Sequence, residues 1–149
     1  MLERTLRWAA ALADAGVHHV PDVPAATEAL AGHSGPVVLV APDVPGLDMA
    51  LAEAILGDLA DGCTAIVGAA HDSRPYVVAL SRATPEGLAL AGGALEGGVV
   101  GAAARAAERL SDGLFLGLLR SERRCATAAD ARALACDPQL PPELAALLA

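Results

Sequence analysis

Apolar residues at Leu2, Leu6, Ala9, Leu12 and Ala13 recur at the spacing of one helical face, and Gly16 stands where such a helix stops, so the pattern predicts a helix over 2–15. Val17 to Val20 reads as a short strand, and 24–31 as a short helix opened by Pro24. The β-branched run 37–41 predicts a buried strand, followed by a Pro/Gly loop and a helix over 48–60 that ends near Gly62. Two further apolar runs, 63–68 and 76–80, read as strands separated by the polar turn His71-Asp72-Ser73-Arg74-Pro75. Downstream, the pattern predicts a helical turn at 85–90, a loose loop at 92–98, a helix at 99–110, a last strand at 114–119, and helices at 127–135 and 141–148. Strands alternating with helices imply an α/β fold, a three-layer sandwich around a mainly parallel sheet.

Composition narrows this picture. A chain of 149 residues, 54% of them hydrophobic, can bury one sizeable core and is too short for two ordinary ones, so 1–149 reads as one domain without repeat or linker. With one Trp, one Tyr and one Phe, that core must be built from Ala, Leu and Val. All ten basic residues are Arg, and neither Lys nor Asn occurs, a pattern that tracks GC-rich codons and points to a high-GC bacterium. The net charge of −8, with scattered arginines, argues against a nucleic-acid partner. The only basic knot is Arg120, Arg123 and Arg124, with Glu122 inside it. Three cysteines at 63, 125 and 136 lack CxxC spacing and an even count, which fits a reduced, cytoplasmic protein; Cys63 and Cys136 read as small buried hydrophobes. Glu3, Arg4 and Arg7 exclude a signal peptide, and Glu96 interrupts the longest apolar stretch, so no membrane span is expected.

The candidate chemistry begins where strand 37–41 gives way to Asp43, followed by Pro45 and Gly46. In open α/β sheets ligands bind beyond the carboxyl ends of the strands, which would place the Asp43 carboxylate at the mouth of a cleft. There it could ligate a divalent cation carrying a nucleotide diphosphate; equally, Asp before Pro and Gly can simply cap a turn or the helix from Asp48. His18, His19 and His33 have no metal-ligand spacing. Ser34-Gly35 and Ser73 sit in no nucleophile-elbow context, which leaves a hydrolase unsupported.

Several segments resemble the bacterial glycosyltransferase-like family of the GT-A, nucleotide-diphosphosugar transferase superfamily. Ala41-Pro42-Asp43-Val44-Pro45-Gly46-Leu47 is similar to that family's strand-end Asp-x-Pro-Gly-Leu loop. The stretch from Gly68 to Tyr76 is similar to its Gly-Pro-x-x-Asp-Gly-Gly-Tyr turn at Gly68, Asp72 and Tyr76, without the Gly-Gly pair. Arg124-Cys125-Ala126-Thr127 stands where the family has Asp-Val-Asp-Thr and keeps only the threonine. The opening Thr5-Leu6-Arg7-Trp8 and the ending from Asp137 to Leu144 also look like family members, so the resemblance covers most of the chain.

The resemblance implies a GT-A/Rossmann-like fold and a sugar or nucleotidyl transferase using Mg or Mn. It implies a site in which Asp43 is the metal ligand, Asp43, Gly46 and Tyr76 bind the nucleotide-sugar, and Asp72 is the catalytic residue near the acceptor. Asp72 is also readable as a solvated turn aspartate, His71 as a base or a surface histidine, and Arg74 and Arg124 as direct phosphate ligands or surface arginines. The departures weigh against catalysis. The family's first strand and its phosphate-cradling turn are not found before the helix at 2–15, and Arg124 replaces a carboxylate. A degraded active site with little or no transfer is therefore expected, the alternatives being a non-catalytic ligand- or partner-binding module or a fragment of a working transferase. Loss of a central strand would leave sheet edges open, so a homodimer is expected as well.

Overall fold

The computed structural model describes residues 1–12, 16–88, 91, 115–138 and 140–148. Its elements are α1 (Leu2–Leu12), α2 (Val23–Ala29), β1 (Val37–Val40), α3 (Met49–Ala60), β2 (Ala65–Ala70), β3 (Pro75–Leu80), β4 (Leu116–Glu122), α4 (Ala128–Ala135) and α5 (Pro142–Leu148). Residues 85–88 add a helical turn. The expected helix at 99–110, the loop at 92–98 and the ends of the elements expected at 2–15 and 85–90 lie outside the described residues. Val17 to Val20 forms no strand, because four residues carrying an exposed His pair have no apolar face to bury.

The helices start where capping chemistry places them. Asp22 accepts from the Ala25 N–H at 2.8 Å and Asp48 from the Leu51 N–H at 2.8 Å, so each satisfies an amide that the first turn leaves without a partner. Thr127 and Asp130 form a capping box at α4. Asp48, and not Asp43, is thus the cap of the helix that follows the β1 loop.

The four strands form one sheet in the order β1-β3-β2-β4. β1 and β2 both pair antiparallel with β3, and β2 pairs parallel with β4. The expected mainly parallel sheet is therefore corrected to a mixed one, with β3 reversed between two strands of common direction. The reason is covalent reach: residues 71–74 join β2 to β3, and a parallel crossover needs a dozen residues or more, whereas a hairpin needs very few. Ser73 supports the tight reversal with a left-handed backbone, φ 65°.

β2 and β3 are buried on both faces. On one face Trp8 of α1 and Leu51, Ala52 and Ile55 of α3 pack on Ile66, Val77 and Ala79. On the other, Leu30, Leu88 and Ala91 pack near Val37, Val78 and Leu80. Helical or irregular chain thus covers both faces of the central strands, as a three-layer arrangement requires. Cys63 is buried as expected; Cys136, at the carboxyl end of α4, is exposed instead of buried. Among the described residues no helix is long and apolar enough to cross a membrane.

Candidate functional site

The carboxyl ends of β1, β2 and β4 open on one side of the sheet, and the amino end of α4 closes toward them. The 41–48 loop after β1 is the best-anchored part of this region. Its apolar residues Val44 and Leu47 are buried, which ties it to the core. From α1, Thr5 Oγ1 donates to the Pro42 carbonyl (3.2 Å), Arg4 Nη2 to the Leu47 carbonyl (3.2 Å) and Trp8 Nε1 to the Asp48 carbonyl (2.7 Å). From β4, Arg120 Nη2 donates to the Gly46 carbonyl (3.0 Å) and to Asp48 Oδ2 (2.8 Å). A loop with so many backbone carbonyls satisfied from two sides needs no ligand to order it.

Arg120 reaches the loop because the β2–β4 ladder slips. Gly68 pairs with Leu119 but Ala70 pairs with Glu122, so β4 carries an extra residue and the alternation of its side chains resets. Arg120 and Glu122 then form an ion pair (Nε to Oε1, 2.6 Å) beside Gly46. Gly46 is packed directly under the Glu122 carboxylate, where a Cβ would collide with it. In this structure Gly46 serves close packing of loop on strand. Tyr76 is likewise inside, with 0% of its surface exposed and its hydroxyl donating to the Arg120 carbonyl at 2.9 Å. Burial first, and the nearby Glu122 carboxylate second, push its phenol well above the usual value, so it is a neutral structural donor. Tyr76 thus has no exposed surface to offer a ligand, while Gly46 is partly exposed.

Asp43 and Asp72 do stand at the strand ends, and each carries its own arginine. Arg124 Nε lies 3.1 and 3.0 Å from Asp43 Oδ1 and Oδ2, and its Nη2 lies 2.9 Å from Oδ2. Both side chains are only 17% exposed. The Cys125 N–H also donates to the Asp43 carbonyl at 2.7 Å, so backbone and side chain hold Asp43 together. Asp72 is held within its own hairpin: Arg74 Nε and Nη2 donate to Oδ2 at 2.8 and 2.6 Å, and the Arg74 N–H donates to Oδ1 at 3.0 Å. Desolvation opposes ionisation of Asp72, but the Arg74 hydrogen bonds and charge prevail and hold its carboxyl below the usual value. A carboxylate held ionised in this way is a weak proton acceptor near neutral pH.

Between these pairs lies a cleft of about 80 Å³ lined by His71, Asp72, Arg123, Arg124, Asp130 and Ala133. Arg123 is shared with Asp137, their nearest atoms 3.3 Å apart. Asp130 Oδ2 accepts from Thr127 Oγ1 (2.9 Å) and from the Ala126 and Thr127 N–H groups (3.1 and 2.8 Å). The Thr127 contacts hold its carboxyl below the usual value. Asp130 is the member of this group that the sequence reading passed over, although Thr127-x-x-Asp130 is a readable capping pattern.

A divalent cation does not fit the donor set. Such an ion needs several hard oxygen ligands at about 2.0–2.6 Å, and a guanidinium spans both oxygens of Asp43. Asp72 is occupied by Arg74 and Asp130 by its helix cap. Among the described residues no three His, Cys, Asp or Glu side chains are grouped so as to hold a metal.

No family model matches the chain, and no curated protein matches it. Among solved structures, it is similar to one from Desulfovibrio desulfuricans G20 described as a "putative nucleotide-diphospho-sugar transferase", at 19% identity and a TM-score of 0.59. The match covers 82% of this chain and 55% of that one, so the chain spans about half the length of the solved protein. At that level of identity the likeness concerns the fold alone: this chain shares a mixed α/β fold with that solved protein.

Proposed function

We propose that this chain is a nucleotide-diphosphosugar-transferase-like domain of the GT-A type which, by itself, carries little or no sugar transfer, its strand-end cleft serving to bind a ligand and not to run metal-dependent chemistry. The observation that carries this reading is the engagement of both candidate carboxylates: Arg124 covers Asp43 and Arg74 covers Asp72. The fold likeness supports the transferase-like part, and the position of the cleft beyond the strand ends is where α/β sheets bind ligands. The resemblance implies a metal-ligand role for Asp43 and an acceptor-side role for Asp72; a guanidinium on each carboxylate competes with both roles. Each charge-assisted contact absent from a ligand site costs on the order of 1.5–3 kcal/mol of affinity, so two or three such losses amount to several decades.

The test is a thermal-shift screen with UDP-, GDP-, CDP-, ADP- and dTDP-sugars, each with and without Mg²⁺ or Mn²⁺. The expected result is no metal-dependent stabilisation. A rise of several degrees that requires the metal and vanishes in Asp43→Ala would replace this reading with a working transferase.

A further inference from the structure

We propose that the Arg124 guanidinium is the resident cation of the strand-end cleft, seated on Asp43 in place of a divalent ion, so that the order of the 41–48 loop is independent of metal. The inference deepens the transferase-like reading, on which it rests for the expectation that a cation belongs beside Asp43. The geometry is that of a cation seat already taken. Arg124 addresses both Asp43 oxygens at 2.9–3.1 Å, the face a divalent ion would have to approach. An ion within ligand distance of those oxygens would also lie against the guanidinium, and the two positive charges repel in a partly buried site. The neighbouring Cys125 N–H to Asp43 carbonyl bond holds the two backbones together, so the side chains meet at short range.

The charges around the pair point the same way. Asp72 feels Arg124, Arg74 feels Asp43 and Asp130, and Asp130 feels Asp72, so three carboxylates and two guanidinium groups share one electrostatic neighbourhood. Arg123 adds a third positive charge that Asp137 offsets. With Arg124 present, this cluster has no strong surplus to attract either an anion or a second cation. With Arg124 removed, Asp43 loses its partner and the carboxylates Asp43, Asp72 and Asp130 outnumber Arg74. Replacing Arg124 by a carboxylate would supply a second oxygen ligand next to Asp43, which is the ingredient a Mn²⁺ site lacks here.

The experiment titrates Mn²⁺, alone and without nucleotide, against the full chain by electron paramagnetic resonance, with unfolding midpoints recorded in parallel. The native chain is expected to take up no Mn²⁺, and neither Mn²⁺ nor EDTA moves its midpoint. Arg124→Asp is expected to bind Mn²⁺ at least about tenfold more tightly than the native chain and to gain midpoint with it. The double variant Arg124→Asp/Asp43→Asn should lose both effects. Should Arg124→Asp fail to unfold cooperatively, Arg124→Gln carries the same expectation with a smaller gain, and Arg124→Lys, which keeps a positive charge, should show none. Mn²⁺ uptake by the native chain that is lost in Asp43→Asn overturns the proposal. So does a folded Arg124→Asp or Arg124→Gln without any gain, an outcome that leaves the transferase-like reading standing. A metal-dependent response to a nucleotide-sugar would strike that reading instead.

Discussion

Gly68→Ala is the substitution whose cost the structure specifies most sharply. Gly68 lies within β2, opposite Val77 on one side and Leu119 on the other. A Cβ there would stand 2.5 Å from Tyr76 Cζ, 2.7 Å from Tyr76 Cε1 and 2.7 Å from Val77 Cγ1, all closer than the 3.0 Å that real Cβ contacts respect. The tyrosine cannot step aside cheaply, because its ring is fully buried and its hydroxyl is spent on the Arg120 carbonyl. Overpacking of this kind costs about 1–3 kcal/mol, and loss of the phenol hydrogen bond adds about 0.5–1.5 kcal/mol, for a total of roughly 1.5–4.5 kcal/mol. In a chain of 149 residues that corresponds to a fall in Tm on the order of 10 °C. Urea unfolding at constant pH measures it directly, as a lower midpoint with the slope unchanged. Gly68→Ala combined with Tyr76→Leu should be less destabilised than the sum of the two single changes, since the smaller side chain removes the collision with the ring and leaves only that with Val77. A loss below about 0.5 kcal/mol in Gly68→Ala would refute the packing argument.

Trp8→Phe removes the Nε1 donor to the Asp48 carbonyl and should cost about 1–2 kcal/mol in urea unfolding; an unchanged midpoint would show that α1 does not hold the loop through this bond. Acid should destabilise the protein. At Asp48 desolvation raises the pKa, yet the Arg120 side chain and the Leu51 N–H bring the net value below 3.8, and Asp72 and Asp130 are lowered as well. A depressed folded value means that the contribution is complete above the unfolded value and is lost as pH falls through the folded one, so the urea midpoint should hold at about pH 5 and drop below about pH 4. Arg120→Gln should flatten that drop, and a midpoint that stays level down to about pH 2 would exclude the linkage.

Local chemistry made most elements readable. The β-branched run at 37–41 became β1, Asp22, Asp48 and Thr127 became helix caps, and the helix expected from residue 2 became α1, although the face it buries is centred on Thr5 and Trp8 and leaves Leu2 exposed. The antiparallel β2–β3 pair was also legible, because residues 71–74 are too few for a crossover; the alternating pattern of elements masked that constraint. Strand ends were misjudged by two or three residues at β2 and β4, since Cys63 and Phe115 belong to apolar runs that do not by themselves mark where pairing begins.

At the site, the sequence by itself determined that Asp43 and Asp72 would stand at the ends of strands, because a run of apolar residues must leave the sheet where polar and turn-forming residues begin. It also showed an arginine at 124 where the resemblance implies a carboxylate. That Arg124 would lie on Asp43, 81 residues away, was decided only by the tertiary structure. β1 and β4 are opposite edges of the sheet, and the 41–48 loop crosses the strand ends between them, which brings Asp43 to Arg124 and Gly46 and Asp48 to Arg120. Tyr76 and Gly46 were assigned toward a ligand by motif; packing drew Tyr76 inside and set Gly46 against Glu122, because apolar area and backbone proximity are satisfied across the whole fold while a motif specifies only its own neighbours. Residue types and local order are properties of the chain; which charge meets which is a property of the sheet that brings distant strand ends together.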